Sequence, residues 1–284
     1  MKKMNADHIS RLAEMCTGPD GRTYRSLSVP ATLEASGLWE VSSRDIEILA
    51  LENRIVPERY QRNIGTIGID GQIKLLRSRT AVVGLGGLGG SVFEMLLRWG
   101  VGSLAVLDHD AFTDSNLNRQ VLSTQNNLGT PKIEAAKLRA AEINSGIGLS
   151  AFALSADAEN LSGVIRGCGA VVDALDNIHT RFTLEDACKK EGIPLVHGAI
   201  AGFMGQVSTI YPEDSGLEAI YGTRDVLETG AEKELGTPGV TPAAVAAWQA
   251  AEAVKILLGR DSTLRNKVLL FDLNDLLMTV VDLS

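Results

Sequence analysis

Residues Gly84 to Gly89 read Gly-Leu-Gly-Gly-Leu-Gly, a GxGxxG run between two patterned stretches. Before it lies the β-branched apolar run Thr80–Gly84. After it Leu88, Val92, Met95, Leu96 and Trp99 recur at helical spacing. A loop so placed binds phosphate. Gly84 allows the turn, Gly86, with Gly87 beside it, lets an anion approach the backbone, and Gly89 lets helix and strand pack closely. The helix N-terminus adds N–H donors and the positive end of its dipole. Asp108 closes the next strand, Ser103–Asp108, 24 residues after Gly84, where a carboxylate can accept both ribose hydroxyls. Together these features imply an adenosine nucleotide. They leave NAD and ATP equally open.

The residues that follow favour ATP. Ser115–Gln120 reads SNLNRQ, and Lys132 lies shortly beyond. Asn116, Arg119 and Lys132 are suited to converge on a polyphosphate, which carries more charge than the pyrophosphate of NAD and needs more than backbone donors. A plain dehydrogenase has no use for such a cluster. The third buried-type strand, Ala170–Leu175, runs into Asp176 and Asn177. Ligands of open α/β sheets bind at the carboxyl ends of strands, and Asp176 is placed there to hold Mg²⁺ on the phosphates. Asp176 also suits a helix cap for Ile178–Cys188.

These positions need a scaffold of alternating strands and helices. Helical patterns at Pro131–Asn144, Thr180–Gly192 and Thr241–Leu258 separate strand-like runs, and Gly205–Tyr211, Val268–Phe271 and Met278–Leu283 read as later strands, the last two as a hairpin. The pattern predicts an α/β fold: a Rossmann-like, mostly parallel sheet flanked by helices and extended by C-terminal antiparallel strands. Residues 58–284 are expected to form one nucleotide-binding domain, with Pro212–Pro238, glycine-rich, charged and aperiodic, as a long crossover loop. Residues 1–57 carry no chemistry motif and are read as an N-terminal helical extension of one or two helices. Ser42 caps one of them, over Arg44–Asn53. Trp99 and Trp248 fall on apolar helix faces and read as core.

Composition bounds the partners. The 284 residues carry 27 Lys and Arg against 35 Asp and Glu, a net charge of −8, with an isoelectric point near 5.1. That balance argues against nucleic acid and anionic membranes as partners. The N-terminus MKKMNADHISRLAEM lacks the apolar core of a signal peptide. No apolar stretch reaches the roughly 18 residues of a membrane span, so a cytoplasmic protein is expected. Three cysteines, Cys16, Cys168 and Cys188, form no CxxC pair, which rules out a tetrathiolate zinc site within the chain. Cys188 reads as packing.

With these residues in view the chain resembles the ThiF/MoeB/HesA family, bacterial relatives of ubiquitin-activating enzymes. The resemblance rests on RYQRN (Arg59–Asn63), DGQIKL (Asp70–Leu75), VVGLGGLGG (Val82–Gly90), GVGSLAVLDHD (Gly100–Asp110), SNLNRQ, GTPKIEAA (Gly129–Ala136), DALDNIHTR (Asp173–Arg181) and AWQAAEAVKILLG (Ala247–Gly259). These segments occur in the family's order over about residues 59–284. The resemblance implies that residues 58–284 are an adenylation domain. It implies ATP- and Mg²⁺-dependent adenylation of the C-terminal carboxylate of a ubiquitin-like sulfur carrier ending in Gly-Gly, with release of pyrophosphate, in molybdopterin, tungstopterin or thiamine biosynthesis. Carried over by motif, Gly86 lies in the nucleotide loop, Asp108 holds the ribose, Asn116, Arg119 and Lys132 contact the phosphates, and Asp176 holds the magnesium. The family's homodimers place an arginine of the RYxR segment on the neighbouring subunit's nucleotide, which here is Arg62.

The chain departs from the family in two ways. The two CxxC pairs that bind a structural zinc in many members are missing, so no zinc is expected. No cysteine follows Cys188, so the thiol used by some members in the crossover loop is missing too. The chain is therefore expected to stop at the acyl-adenylate. Two alternatives stay open: adenylation of a ribosomal peptide or another carboxylate, on which residues 1–57 bear as a peptide-holding module, and a non-catalytic ATP-binding subunit.

Overall fold

The structure is a computed structural model and describes residues 5–18, 21–224 and 232–283. The N-terminal part contains α1 (Ala6–Leu12), β1 (Glu14–Thr17), β2 (Thr23–Leu27), α2 (Val29–Trp39), α3 (Ser43–Glu52) and β3 (Ile55–Pro57). Three helices and a three-stranded sheet thus stand where one or two helices are expected. The strands β1, β2 and β3 lie in that order, β1 antiparallel and β3 parallel to β2. Ser42 caps α3 as predicted, accepting from the Asp45 N–H. Ile9, Leu27, Ala35, Trp39, Ile46, Ala50 and Ile55 form a small core of their own.

The rest of the chain continues through α4 (Gln61–Arg77), β4 (Arg79–Val83), α5 (Gly87–Trp99), β5 (Ser103–Leu107), α6 (Lys132–Asn144) and β6 (Gly148–Phe152). It then runs through α7 (Leu161–Ile165), β7 (Ala170–Asp173), α8 (Ile178–Glu191), β8 (Leu195–Ala201) and β9 (Met204–Ile210). It ends with α9 (Glu218–Tyr221), α10 (Glu232–Leu235), α11 (Val240–Leu258), β10 (Lys267–Asp272) and β11 (Leu277–Asp282). The expected crossover loop therefore contains two one-turn helices, and its residues 225–231 lie outside the described residues.

Eight strands form one sheet in the order β11-β10-β9-β8-β7-β4-β5-β6. Strands β6, β5, β4, β7 and β8 are parallel, and β9, β10 and β11 extend them antiparallel. This is the predicted fold class. The alternation of side chains along each strand loads both faces. Val82, Val106, Val172 and Val196 enter one core with α5, α6 and α11. Ala81, Val83, Leu107, Val171 and Leu195 enter a second with α7 and α8. The chain steps from β4 outward through β5 to β6, then returns to place β7 on the other side of β4, which makes the β4/β7 boundary a topological switch point.

Helix α11 packs across α5, β7 and β8. Gln249 is fully buried there, and its Nε2 donates to the backbone oxygens of Asp173 (2.7 Å) and Val196 (3.2 Å). The same helix corrects one core assignment. Trp248 is 39% exposed, because the stripe facing the sheet passes through Val245, Gln249 and Glu252 and leaves Trp248 outside it. Trp99 is half-buried against the first core.

Candidate active site

Three strand ends build the site. After β4, Gly84 takes φ +94°, and a Cβ there would lie 2.6 Å from the Ala174 backbone oxygen. A Cβ on Gly89 would lie 1.8 Å from the Gly84 oxygen. The loop can close over the start of α5 only without side chains at both positions. Helix α5 has Gly86 at its N-cap and no side-chain cap, so its first-turn N–H groups remain for an anion.

After β5, Asp108 is buried and oriented by backbone: Oδ2 accepts from the Leu85 N–H at 2.7 Å and Oδ1 from the Asp110 N–H at 2.8 Å. The nucleotide loop and the expected ribose carboxylate are thus directly joined. Lys132, the first residue of α6, is also buried. Its Nζ sits 2.8 Å from Asp110 Oδ2 and 3.5 Å from Asp108 Oδ2. That hydrogen bond holds the Asp110 carboxyl below the usual carboxylate range. Arg119 Nη1 donates to the Ser115 oxygen and to Asn118 Oδ1, both at 2.9 Å. Asn116 Oδ1 accepts from the Thr113 N–H at 3.0 Å.

After β7, Asp176 is exposed, and its carboxylate takes no hydrogen bond from the described residues. The cap of α8 falls to Asn177, whose side chain accepts from the Thr180 N–H at 3.0 Å. The capping role considered for Asp176 is therefore displaced by one residue. A hard carboxylate oxygen that no described residue engages is of the donor class that fits Mg²⁺. The Asp108, His109 and Asp110 group could also gather around a cation. There the Lys132 ammonium already balances the carboxylates.

Gly84, Gly86, Gly87, Asp108, Asn116, Arg119, Lys132 and Asp176 all line one cavity of about 580 Å³. Two of the expected residues are not in that lining. Gly89 serves the packing beneath it. Arg62 is exposed on α4 and does not reach the cleft of its own chain.

The site also holds residues with no role assigned from sequence. Arg181, the last residue of DALDNIHTR, lines the cleft. Its Nη1 donates to the Tyr221 hydroxyl at 2.8 Å, and its Nε and Nη2 donate to the Leu175 oxygen at 3.2 and 2.7 Å. Behind it, Tyr221 Oη lies 2.9 Å from His197 Nε2, and His197 Nδ1 lies 2.7 Å from Asp173 Oδ2. Burial pushes the His197 imidazole below its ordinary pKa, which favours the neutral ring. Cys168 and Cys188 are buried, and desolvation pushes both thiols up, as packing cysteines require. Beside the cleft a second cavity of about 620 Å³ is walled by Met204, Leu270, Phe271, Leu277 and Met278, and Arg181 and Ile200 line both cavities.

The ThiF family model matches residues 60–284. Among characterised relatives, the SAMP-activating enzyme E1 of Haloferax volcanii is 38% identical over 229 residues, covering 79% of this chain and 84% of that protein. The sulfur carrier protein adenylyltransferase of Thermus thermophilus is 38% identical over 224 residues, covering 76% and 83%. The chain spans half the length of a larger relative, the adenylyltransferase and sulfurtransferase MOCS3 of Culex quinquefasciatus, at 36% identity. In fold the chain is similar to Escherichia coli MccB, with a TM-score of 0.69 and 20% identity over 96% of this chain and 92% of that one. The matched residues include the glycine loop, both strand-end carboxylates and the cations between them, and the chain belongs to the ThiF family.

Proposed function

We propose that this ThiF-family adenylyltransferase transfers AMP from ATP to the C-terminal carboxylate of a ubiquitin-like sulfur carrier ending in Gly-Gly and releases pyrophosphate. The observation that carries the reading is the single cleft in which an uncapped helix N-terminus, Asp108, Arg119, Lys132 and Asp176 meet. The Haloferax and Thermus relatives, named for a carrier of this class, support the same substrate. Molybdopterin, tungstopterin or thiamine biosynthesis is the setting we infer.

The chemistry needs few groups. A C-terminal carboxyl has a pKa of about 3.3–3.7 and is ionised at neutral pH, so no general base is required to make the nucleophile. The obstacle is bringing an anion to an anionic α-phosphorus. Positioning and charge neutralisation overcome it. The α5 N-terminus and Arg119 receive phosphate oxygens, Lys132 adds an ammonium beside them, and Asp108 fixes the adenosine end. Mg²⁺ held by Asp176 would add positive charge at the phosphates. The carboxylate oxygen bonds to phosphorus as the bond to the pyrophosphate oxygen breaks. Arg62 acts on the nucleotide of a second subunit in a homodimer.

A peptide acceptor is the second reading. The family match begins at residue 60, whereas the likeness to MccB spans 96% of the chain and so takes in the N-terminal sheet and helices. MccB structures have been solved with its peptide MccA. The deciding experiment is ATP–pyrophosphate exchange with Mg²⁺, run with each Gly-Gly-ending carrier of the same genome and with candidate peptides. Exchange dependent on one carrier is expected. Exchange dependent on a peptide alone transfers the assignment to the second reading. ATP binding without exchange on any acceptor returns it to a non-catalytic subunit.

A further inference from the structure

Asp176 takes no hydrogen bond from the described residues, so its backbone alone aims its carboxylate. That backbone lies beyond the sheet. The β4–β7 ladder ends at Val83 and Asp173, and the Ala174 N–H makes the last strand bond, to the Val83 oxygen at 3.0 Å. Side chains then hold both backbone groups of Leu175. Asp173 Oδ1 accepts from the Leu175 N–H at 3.0 Å, an Asx turn. The Leu175 oxygen, on the peptide that leads into Asp176, accepts from Arg181 Nε and Nη2 at 3.2 and 2.7 Å. The Arg181 donors are thus committed to structure: Nη1 bonds Tyr221, and Nε also lies 3.8 Å from Asp173 Oδ2.

Asp173 is a fixed point only if its own carboxylate cannot turn. It is fully buried, with Oδ2 2.7 Å from Nδ1 of the equally buried His197. His197 Nε2 lies 2.9 Å from Tyr221 Oη. Tyr221 accepts from Arg181 Nη1 and, at 2.7 Å, from Gln206 Nε2. With two donors on its oxygen, the tyrosine proton goes to His197 Nε2, and the Nδ1–H goes to Asp173. Burial favours the neutral ring that this pattern needs. Both holders of Leu175, Asp173 through His197 and Arg181 directly, therefore depend on one hydroxyl on α9. No step of the adenylation uses this chain of groups.

We propose that Asp173, His197 and Tyr221 are positioning residues for Asp176: they fix Leu175 and so set the neighbouring carboxylate in the cleft as a divalent-cation ligand. This rests on the adenylation reading and on its assignment of Mg²⁺ to Asp176.

The test reads metal binding without turnover. The probe is Mn²⁺ in place of Mg²⁺, followed by electron paramagnetic resonance, with protein holding α,β-methylene-ATP, which cannot release pyrophosphate. Tyr221→Phe keeps the ring and removes only the oxygen. It should weaken Mn²⁺ binding about tenfold, the usual effect of a residue behind a metal ligand. Two His197 variants separate positioning from packing. An Asn amide can replace Nδ1 and keep the bond to Asp173, whereas a Gln amide reaches the Nε2 position and loses it. His197→Gln should lose about tenfold, and His197→Asn should retain most of the affinity. Binding of the analogue without metal should be unchanged in all three. Undiminished Mn²⁺ affinity in folded Tyr221→Phe and His197→Gln overturns the proposal. An equal loss in both His197 variants also overturns it, since packing alone would give that result. Tyr221 is only half-buried, so Tyr221→Phe decides if the His197 variants do not fold. Asp176→Ala controls for the underlying reading. If it leaves Mn²⁺ affinity unchanged, the metal assignment falls and the proposal with it. A wild type that does not bind the analogue removes the adenylation reading itself.

Discussion

A carboxylate that takes no hydrogen bond from the described residues around it is open to a ligand. Asp176 is such a group. Asp176→Ala should reduce adenylation to background while leaving the thermal midpoint within a few degrees of wild type, since no hydrogen bond among the described residues is lost. Near-normal exchange with Mg²⁺ would remove Asp176 from the mechanism. Gly89→Ala should behave in the opposite way. Its methyl must displace the Gly84 oxygen, 1.8 Å from the ideal Cβ, so about 1–3 kcal/mol of stability and most ATP affinity should go together, as read by urea unfolding and nucleotide titration. The nucleotide half of the site was legible in sequence because its elements are local. Gly84 to Gly89, Asp108 and Asp176 each sit at the end of a strand that the pattern announces. The Tyr221–His197–Asp173 chain was not legible. His197 and Tyr221 are 24 residues apart on different elements, and only the folded sheet brings them within 2.9 Å.

Helices and strands that bury a long apolar stripe were equally readable, and those that do not were missed. The strand β1 is mostly exposed and β2 only partly buried, and each is four or five residues long, so neither shows an apolar alternation. The junction of α3 with the larger domain has its own electrostatics. Glu47 is buried beside Arg59, Tyr60 and Asn144: Tyr60 donates to Glu47 Oε2 at 3.1 Å and Asn144 Nδ2 donates to Tyr60 at 2.7 Å. Burial outweighs Arg59, 3.3 Å away, and pushes the Glu47 carboxyl up to about 7. A folded pKa above the unfolded one means that the folded protein holds the extra proton. Stability is therefore greatest below about pH 4.5 for this group and falls as pH rises towards 7. The loss is about 3 kcal/mol if α3 unfolds with the rest. Denaturant midpoints across this range should slope downward in wild type and flatten in Glu47→Gln. A slope unchanged in the variant assigns the pH dependence to other groups.

At the scale of the molecule, the cleft of one chain does not gather every residue proposed for the reaction. Arg62 is exposed on α4, away from its own cleft. Arg62→Ala should lower turnover at least tenfold without unfolding the chain, roughly the contribution of one charged contact to phosphate. Mixed with Asp176→Ala, it should recover activity, because a mixed dimer contains one site with both residues intact. No recovery in spite of demonstrated subunit exchange would refute the action across subunits. The architecture also has a temporal side. Helix α11, late in the chain, supplies the Gln249 amide that satisfies backbone oxygens of β7 and β8 in the middle of the sheet. Asn118, next to Arg119 of the cleft, likewise donates to the Thr237 oxygen. During synthesis the glycine loop, Asp108 and Asp176 leave the ribosome long before these partners do. Until residue 258 has emerged, the nascent chain carries a nucleotide motif on a sheet with unsatisfied buried carbonyls. A ribosome-stalled chain ending at residue 239 should therefore fail to retain ATP, and release of the remaining residues should establish binding in one cooperative step. Nucleotide binding is in this sense expected only once α11 has been made and docked.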